Sequence, residues 1–412
     1  MRDTPPESGA DAGAAIRRLP MPEFVAMLAT LFAVIAFSID AMLPALPQIA
    51  AELVPNDVNR AQLILTAFVL GMGVGTLFAG PISDATGRKI AITGGFALYI
   101  VGAVLAWRAQ SIEMLLLARF LQGLGAAGPR IVSLALIRDL YQGREMARVT
   151  SFVMMIFILI PAVAPSIGAV VIAVTGWRGI FGAFIVFGLI GVLWLNLRQQ
   201  ETLPPARRRP LTVVSLAAAA REVLADREVR VYTVVMTLGF GQMFAVLSSS
   251  QQLFAETYGR GDSFPLWFAG MALLAGTGSI LNARFVVRLG MRRIAVMAYM
   301  MQTWVSAVML LLALTGALPA WAEFPAFFFW VTSVFFMAGI TFGNLNALAL
   351  QRMGHIAGMA ASIVAAVSTI LAVVIAAPLG LMFDGTALPL IVGVLVCSAI
   401  AWGLMRRTVT TG

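Results

Sequence analysis

The feature that most restricts what this chain can become is a series of twelve apolar stretches, most near twenty residues long, separated by short polar segments. They fall at approximately 24–46, 63–82, 90–107, 113–137, 149–174, 179–197, 231–254, 264–283, 294–316, 324–350, 356–381 and 387–405. A helix of about 20 residues crosses the ~30 Å hydrocarbon core of a bilayer. In lipid the backbone must satisfy its own hydrogen bonds, so stretches of this kind span as helices. The expected fold class is therefore an all-α membrane protein with twelve transmembrane helices. Only 11% of the 412 residues are charged, against about a quarter in ordinary soluble proteins. The first stretch is as long as the others and lacks a small-residue cleavage pattern, which makes it an anchor and not a cleaved leader.

The chain has 28 Lys and Arg residues and a net charge of +9. Alternate loops collect 22 of those residues; the opposite loops hold Arg60, Arg108, Arg178 and Arg260, while Arg119 and Arg130 lie within a span. This is the positive-inside pattern, with both termini cytoplasmic. The basicity is topological, and no nucleic-acid partner is expected. The one cysteine, Cys397, excludes an intramolecular disulfide and a thiolate metal cluster, and the one histidine, His355, excludes a multi-His metal site. No nucleophile–base constellation remains, so the chain is not expected to be an enzyme. No cofactor or metal is expected either.

Between the sixth and seventh stretches, residues 198–230 are the least apolar long segment, with Pro204, Pro205, Arg207, Arg208, Arg209 and Pro210 ahead of an amphipathic run from Leu211 to Leu224. This segment reads as a cytoplasmic linker with one helix on the membrane surface. It divides the chain into a tail (1–23), a six-helix half (24–197), the linker (198–230), a second six-helix half (231–405) and a short tail (406–412). The halves repeat each other: Gly87-Arg88-Lys89-Ile90 after the second span recurs as Gly290-Met291-Arg292-Arg293-Ile294 after the eighth. Val287 stands where Asp84 stands in the first copy, so the two loops are not equivalent.

Ionisable residues inside a membrane are expensive and serve as functional candidates. Asp40 is the one acid placed well within a span, and Arg119 lies at matching depth, each roughly 9 Å from the outer boundary by helical rise. The two can interact across a central cavity, directly or through water, or form a purely stabilising buried pair. A carboxyl near Arg⁺ favours its charged form and a dry one its neutral form. Asp40, moved between such settings, can load and release a proton, whereas Arg119 stays protonated. Gln122 lies one turn from Arg119 on the same face. Arg130 lies eleven residues on, where it either snorkels to the cytoplasmic surface or lines the cavity. Gln242 is the candidate cavity residue of the second half by depth. Pro161, Pro165 and Gly168 bend the fifth helix and let a neighbour approach. In the loop, Asp84 and Arg88 can meet Arg138-Asp139 or face His355–Met359, while His355 itself reads as a solvated loop residue.

The string Gly80-Pro-Ile-Ser-Asp84-Ala-Thr-Gly87-Arg88-Lys89, placed after the second span, resembles the helix 2–3 loop signature of the major facilitator superfamily of secondary transporters. Asp40-Ala-Met-Leu-Pro-Ala-Leu-Pro47, Arg119-Phe-Leu-Gln-Gly123, Arg138-Asp139-Leu140-Tyr141 and Ala164-Pro165-Ser166-Ile167-Gly168 narrow the resemblance to the bicyclomycin/chloramphenicol-resistance (Bcr/CflA-type) branch of drug:proton antiporters. The resemblance implies two pseudo-symmetric six-helix halves in a monomer. It assigns Asp40 and Arg119 to proton coupling, Asp84, Arg88 and Asp139 to a cytoplasmic latch, and Pro161, Pro165 and Gly168 to an antiporter-like bend. Some multidrug relatives carry a second acid two turns before Asp40; here that neighbourhood is Leu31-Phe32-Ala33. The expected function is proton-coupled export of small amphiphilic drugs or toxic compounds across a bacterial inner membrane by alternating access. The alternative is export of a metabolite, or proton-coupled import of a small anionic or zwitterionic solute. A non-transporting receptor or scaffold is disfavoured by Asp40, Arg119 and the repeat.

Overall fold

The computed structural model describes residues 18–208 and 213–408. Arg2, Arg17, Arg209, Pro210, Leu211 and the ends of both tails lie outside the described residues. Among the described residues there is no strand. The first half comprises α1 (Met21–Asp40), α2 (Leu46–Leu53), α3 (Leu63–Thr86), α4 (Arg88–Trp107), α5 (Ile112–Leu140) and α6 (Gly143–Arg198). After α7 (Val213–Ala225) come α8 (Arg227–Gln252), α9 (Phe264–Leu289), α10 (Met291–Thr315), α11 (Ala320–Leu350), α12 (Ala357–Leu381) and α13 (Leu388–Arg407).

Eleven helical runs among the described residues are long and apolar enough to cross a membrane. One of them, α6, is 56 residues long and is broken at Gly176, whose φ of 71° no helix interior adopts. A straight helix of that length would run about 84 Å, so α6 supplies two crossings and the total reaches the twelve expected. The halves repeat down to the backbone. Gly87 (φ 108°) joins α3 directly to α4, and Gly290 (φ 79°) joins α9 directly to α10. In both turns the glycine N–H bonds the carbonyl four residues back, Ser83 or Val286, and its own carbonyl accepts from Ala91 or Ile294. The end of the molecule that carries these turns is called the basic end below.

Small residues set the closest approaches inside the first half. A Cβ on Gly71 would lie 2.0 Å from the Phe120 carbonyl oxygen, and one on Gly123 would lie 2.0 Å from that of Phe68. Glycine at both positions lets α3 and α5 touch backbone to backbone. Between the halves α3 packs on α12 and α6 on α9. At the end opposite the basic one, amides bolt the halves together. Gln62 donates to Gln252 at 2.7 Å and accepts from Ser249 at 2.8 Å, while Asn59 donates to the carbonyls of Leu381 and Phe383. No hydrogen bond or ion pair joins α5 to α11 among the described residues.

Two local expectations change. The linker helix α7 is not simply laid on a membrane, because Ala219 and Val223 are buried against α8 and α12. Only Asp226 separates it from α8, and that carboxylate caps α8 by accepting from the N–H groups of Glu228 and Val229. The first span does not run unbroken to residue 46: α1 ends at Asp40, and a short 3₁₀ turn at Leu43–Ala45 leads into α2. Pro44 has no N–H to give the carbonyl four residues earlier, which is Asp40's own, and Pro47 does the same to Leu43.

Candidate functional site: a cavity between the halves

The break after α1 places Asp40 on the wall of a central cavity of about 470 Å³. Helices α1, α3, α5 and α6 line it from one half, and α8, α9, α11 and α12 from the other. The surface is mostly aromatic and thioether: Phe157, Phe240, Phe244, Phe335, Phe342, Met72, Met243 and Met271. Two charges interrupt it, Asp40 and Arg130. Asp40 is 6% exposed and Arg130 is half-buried. Among the described residues neither side chain has a hydrogen bond or an ion pair. Of the two positions open to Arg130, the structure has it lining the cavity.

Arg119 does not meet Asp40. It is fully buried between α1, α3 and α5, where its guanidinium donates to the Ser38 carbonyl (2.9 Å), Gln122 Oε1 (2.6 Å) and the Ile64 carbonyl (3.4 Å). It also stacks over Phe68, 4.5 Å from the ring centroid. The charge is solvated by carbonyl dipoles and an aromatic face, so no carboxylate is required beside it. Its link to Asp40 is indirect, through the backbone of Ser38 two residues away. The Tyr99 hydroxyl lies 2.6 Å from that of Ser38 and closes this shell. Gln122 therefore positions Arg119 and does not face the cavity.

Gln242 also points elsewhere. Its Oε1 accepts from Ser398 of α13 at 2.7 Å, and its Nε2 is buried with no partner among the described residues. The cavity face of α8 is Phe240, Met243, Phe244 and Leu247, spaced i, i+3, i+4, i+7, and Gln242 falls on the opposite side of that helix. Pro161 reaches the cavity, and Gly168 lies behind it. A Cβ there would sit 2.2 Å from the carbonyl oxygen of Ala41, the residue after Asp40.

At the basic end Arg88, 8% exposed, bonds Asp84 (2.6 Å), Asp139 (2.9 Å) and Ser83 (2.9 Å). Of the two placements open to the cluster, this is the one with Asp139. It stays within the first half and the start of the linker, since Thr202 also donates to Asp139. Glu201 was not singled out from sequence, although it receives the free N–H groups of Arg88 (2.9 Å) and Lys89 (3.0 Å) at the start of α4. A lone acid just past the end of the sixth span is the signal the sequence offers. His355 is not free in a loop: its Nε2 lies 2.6 Å from Glu222 of α7. A second, polar cavity of about 650 Å³ separates Asp84, Arg88 and Arg138 from His355–Met359 of the other half.

Known proteins resemble this chain in sequence and fold. The chain is 30% identical to the MFS-type transporter YdgK of Bacillus subtilis over 90% of its own length and 91% of the relative's. It is 28% identical to a bicyclomycin resistance protein homolog of Haemophilus influenzae over 92% and 94%. A solved structure of the xylose transporter XylE from E. coli, in a partially occluded inward-open conformation, superposes with a TM-score of 0.71 at 13% identity, covering 95% of this chain and 99% of that one. The family model described as Major Facilitator Superfamily matches residues 27–377, and the chain belongs to that family of membrane transporters.

Proposed function

We propose that this protein is a proton-coupled exporter of small amphiphilic compounds, drugs or toxic molecules, working by alternating access in a bacterial inner membrane. The observation that carries the reading is Asp40: a carboxyl on the wall of the cavity between the halves, with no hydrogen-bond or ion-pair partner among the described residues. Such a group can carry a proton when the cavity faces one side and yield it, or yield its place to substrate, when the cavity faces the other. The similarity to a bicyclomycin resistance protein homolog supports export of an antibiotic-like molecule. The aromatic and Met-rich lining suits guests of varied shape.

The distribution of Lys and Arg supports a cytoplasmic basic end, with both termini on that side. The amide contacts at the opposite end and the polar vestibule at the basic end then describe a cytoplasm-facing conformation, ready to load an export substrate. The two halves complete one cavity, which supports a monomer as the working unit. Arg88 with Asp84 and Asp139 acts as a latch whose partners change when the halves close at this end.

Arg130 favours a second reading at the same site, transport of a small anionic or zwitterionic solute. A guanidinium facing the cavity offers charged donors that a purely cationic guest cannot use. One experiment covers both. Cells expressing the protein are loaded with a panel of amphiphilic antibiotics, dyes and zwitterionic metabolites, with and without a protonophore. Lower accumulation of at least one compound, abolished by the protonophore, is expected. Arg130→Gln should weaken handling of acceptor-bearing compounds about 10- to 100-fold, the value of a charged hydrogen bond, and spare the others. Accumulation raised by the protein, or indifferent to the protonophore, contradicts export driven by protons.

A further inference from the structure

We propose that the groove between α9, α10 and α11 binds a phospholipid with an anionic headgroup, its chain in the groove and its phosphate on Arg288 and Arg293. The groove has a volume of about 520 Å³ and opens on the outer face of the second half, apart from the central cavity. Along α9 it runs from Leu274 to Leu289, about 22 Å by helical rise, longer than the roughly 15 Å of one leaflet's hydrocarbon. Its polar side chains, Asn282, Gln302, Thr332 and Ser333, are all committed within the protein, Thr332 and Ser333 to the carbonyls of Phe328 and Trp330. Asn282 and Asn344 exchange hydrogen bonds at 2.7 and 3.3 Å, and Gln302 donates to Ser306. A guest therefore meets hydrocarbon along its length, which suits an acyl chain and not a polar drug.

The groove ends at Leu289 and Ile294, beside the α9–α10 turn. There Arg284, Arg288 and Arg293 are exposed, and among the described residues none has a hydrogen bond or an ion pair. Arg292 is used elsewhere, on the carbonyls of Met405 and Thr408. No Asp or Glu occurs between Asp262 and Glu323, so α9, the turn and α10 carry no acid of their own. The first half shows what such a turn does with an anion available. The carboxylate of Glu201 accepts from both Arg88 N–H and Lys89 N–H at the start of α4. At the matching start of α10, among the described residues, no side chain accepts from the N–H groups of Met291 and Arg292. The second half thus presents the same basic turn with the built-in anion missing and an acyl-sized groove leading to it. An anionic headgroup supplies that charge, and each basic residue near a membrane surface favours it by about fivefold. The site depends on neither Asp40 nor the direction of transport.

Native mass spectrometry of the full-length protein in mild detergent tests this, with dioleoylphosphatidylglycerol and dioleoylphosphatidylcholine titrated separately. The expected result is one retained phosphatidylglycerol, preferred over phosphatidylcholine about tenfold or more. Arg288→Gln/Arg293→Gln should lower that affinity about thirtyfold, while Arg144→Gln/Arg148→Gln, two basic-end arginines outside the groove, should leave it unchanged. Ala298→Trp, which fills the groove, should reduce binding of both lipids. Thermal unfolding of each variant reports whether it is folded. If the arginine variant fails to fold, the headgroup preference of the wild type and the Ala298→Trp result decide. The proposal is overturned by equal retention of both lipids in the wild type, by undiminished binding in either the arginine or the tryptophan variant, or by equal loss in the control pair. A lipid-free dimer that seals the groove with a second copy overturns it as well.

Discussion

Arg119 holds its positive charge inside the first half, and among the described residues no carboxylate lies at bonding distance from it. Three acceptors from three helices and the face of Phe68 do the work of a counter-ion. That geometry needs the planar fork of arginine, because a lysine is a point charge on a flexible stem. Arg119→Lys should therefore leave the Gln122 or Ser38 acceptor unmatched and lower stability by about 3 kcal/mol, at 1.5–3 kcal/mol for each charged hydrogen bond. Thermal unfolding in detergent measures this, and an unchanged midpoint would show that the bonds add nothing. At this scale Asp40, which lies on the cavity wall, stands out in the sequence because a lone acid in an apolar span is conspicuous. Sequence reading could not supply Arg119's partners, which are main-chain carbonyls brought close by helix crossing and carry no signature of their own. Gln242 was judged by depth alone; the spacing of Phe240, Met243, Phe244 and Leu247 was present in the sequence and placed it on the wrong face.

Among the elements, α1 and α6 meet closely just behind the cavity wall. Pro44 and Pro47 break α1 just past Asp40, and Gly168 of α6 fits against the carbonyl of Ala41. A change of bend at Pro161 and Pro165 therefore bears directly on the turn that presents Asp40. Gly168→Ala should push α6 off that turn and cut transport at least tenfold. Gly182→Ala, where an added methyl meets nothing within 4 Å, should be near neutral. Efflux rates normalised to membrane-inserted protein compare the two, and equal activities would remove α6 from the mechanism. The twelve spans were legible because apolar length and polar turns fix them. The packing of α7 on α8 and α12 was not, since an amphipathic run looks alike whether its apolar side meets lipid or protein.

For the whole molecule, uncharged amides join the halves at the closed end, while the ion pairs at the open end, present in both halves, stay within a half or reach the linker. In a protein with Cys397→Ala, cysteines at Asn59 and Gln252 should be joined by a short bismaleimide in the resting state, as their native side chains bond at 3.1 Å. Joining them should stop transport, and failure to join would mean that this end is open at rest. The two-half plan was readable from the Gly87 and Gly290 turns, whereas the conformational state was not, because it resides in contacts between segments nearly 200 residues apart. The central claim, that Asp40 couples protons to export, is tested most directly by substrate-induced proton release. Inverted membrane vesicles holding a respiration-driven pH gradient would be given the compounds whose accumulation the protein lowers, with wild type compared to Asp40→Asn. Release by wild type and none by the variant is the expected result; equal release by both would contradict it and move the proton site away from Asp40.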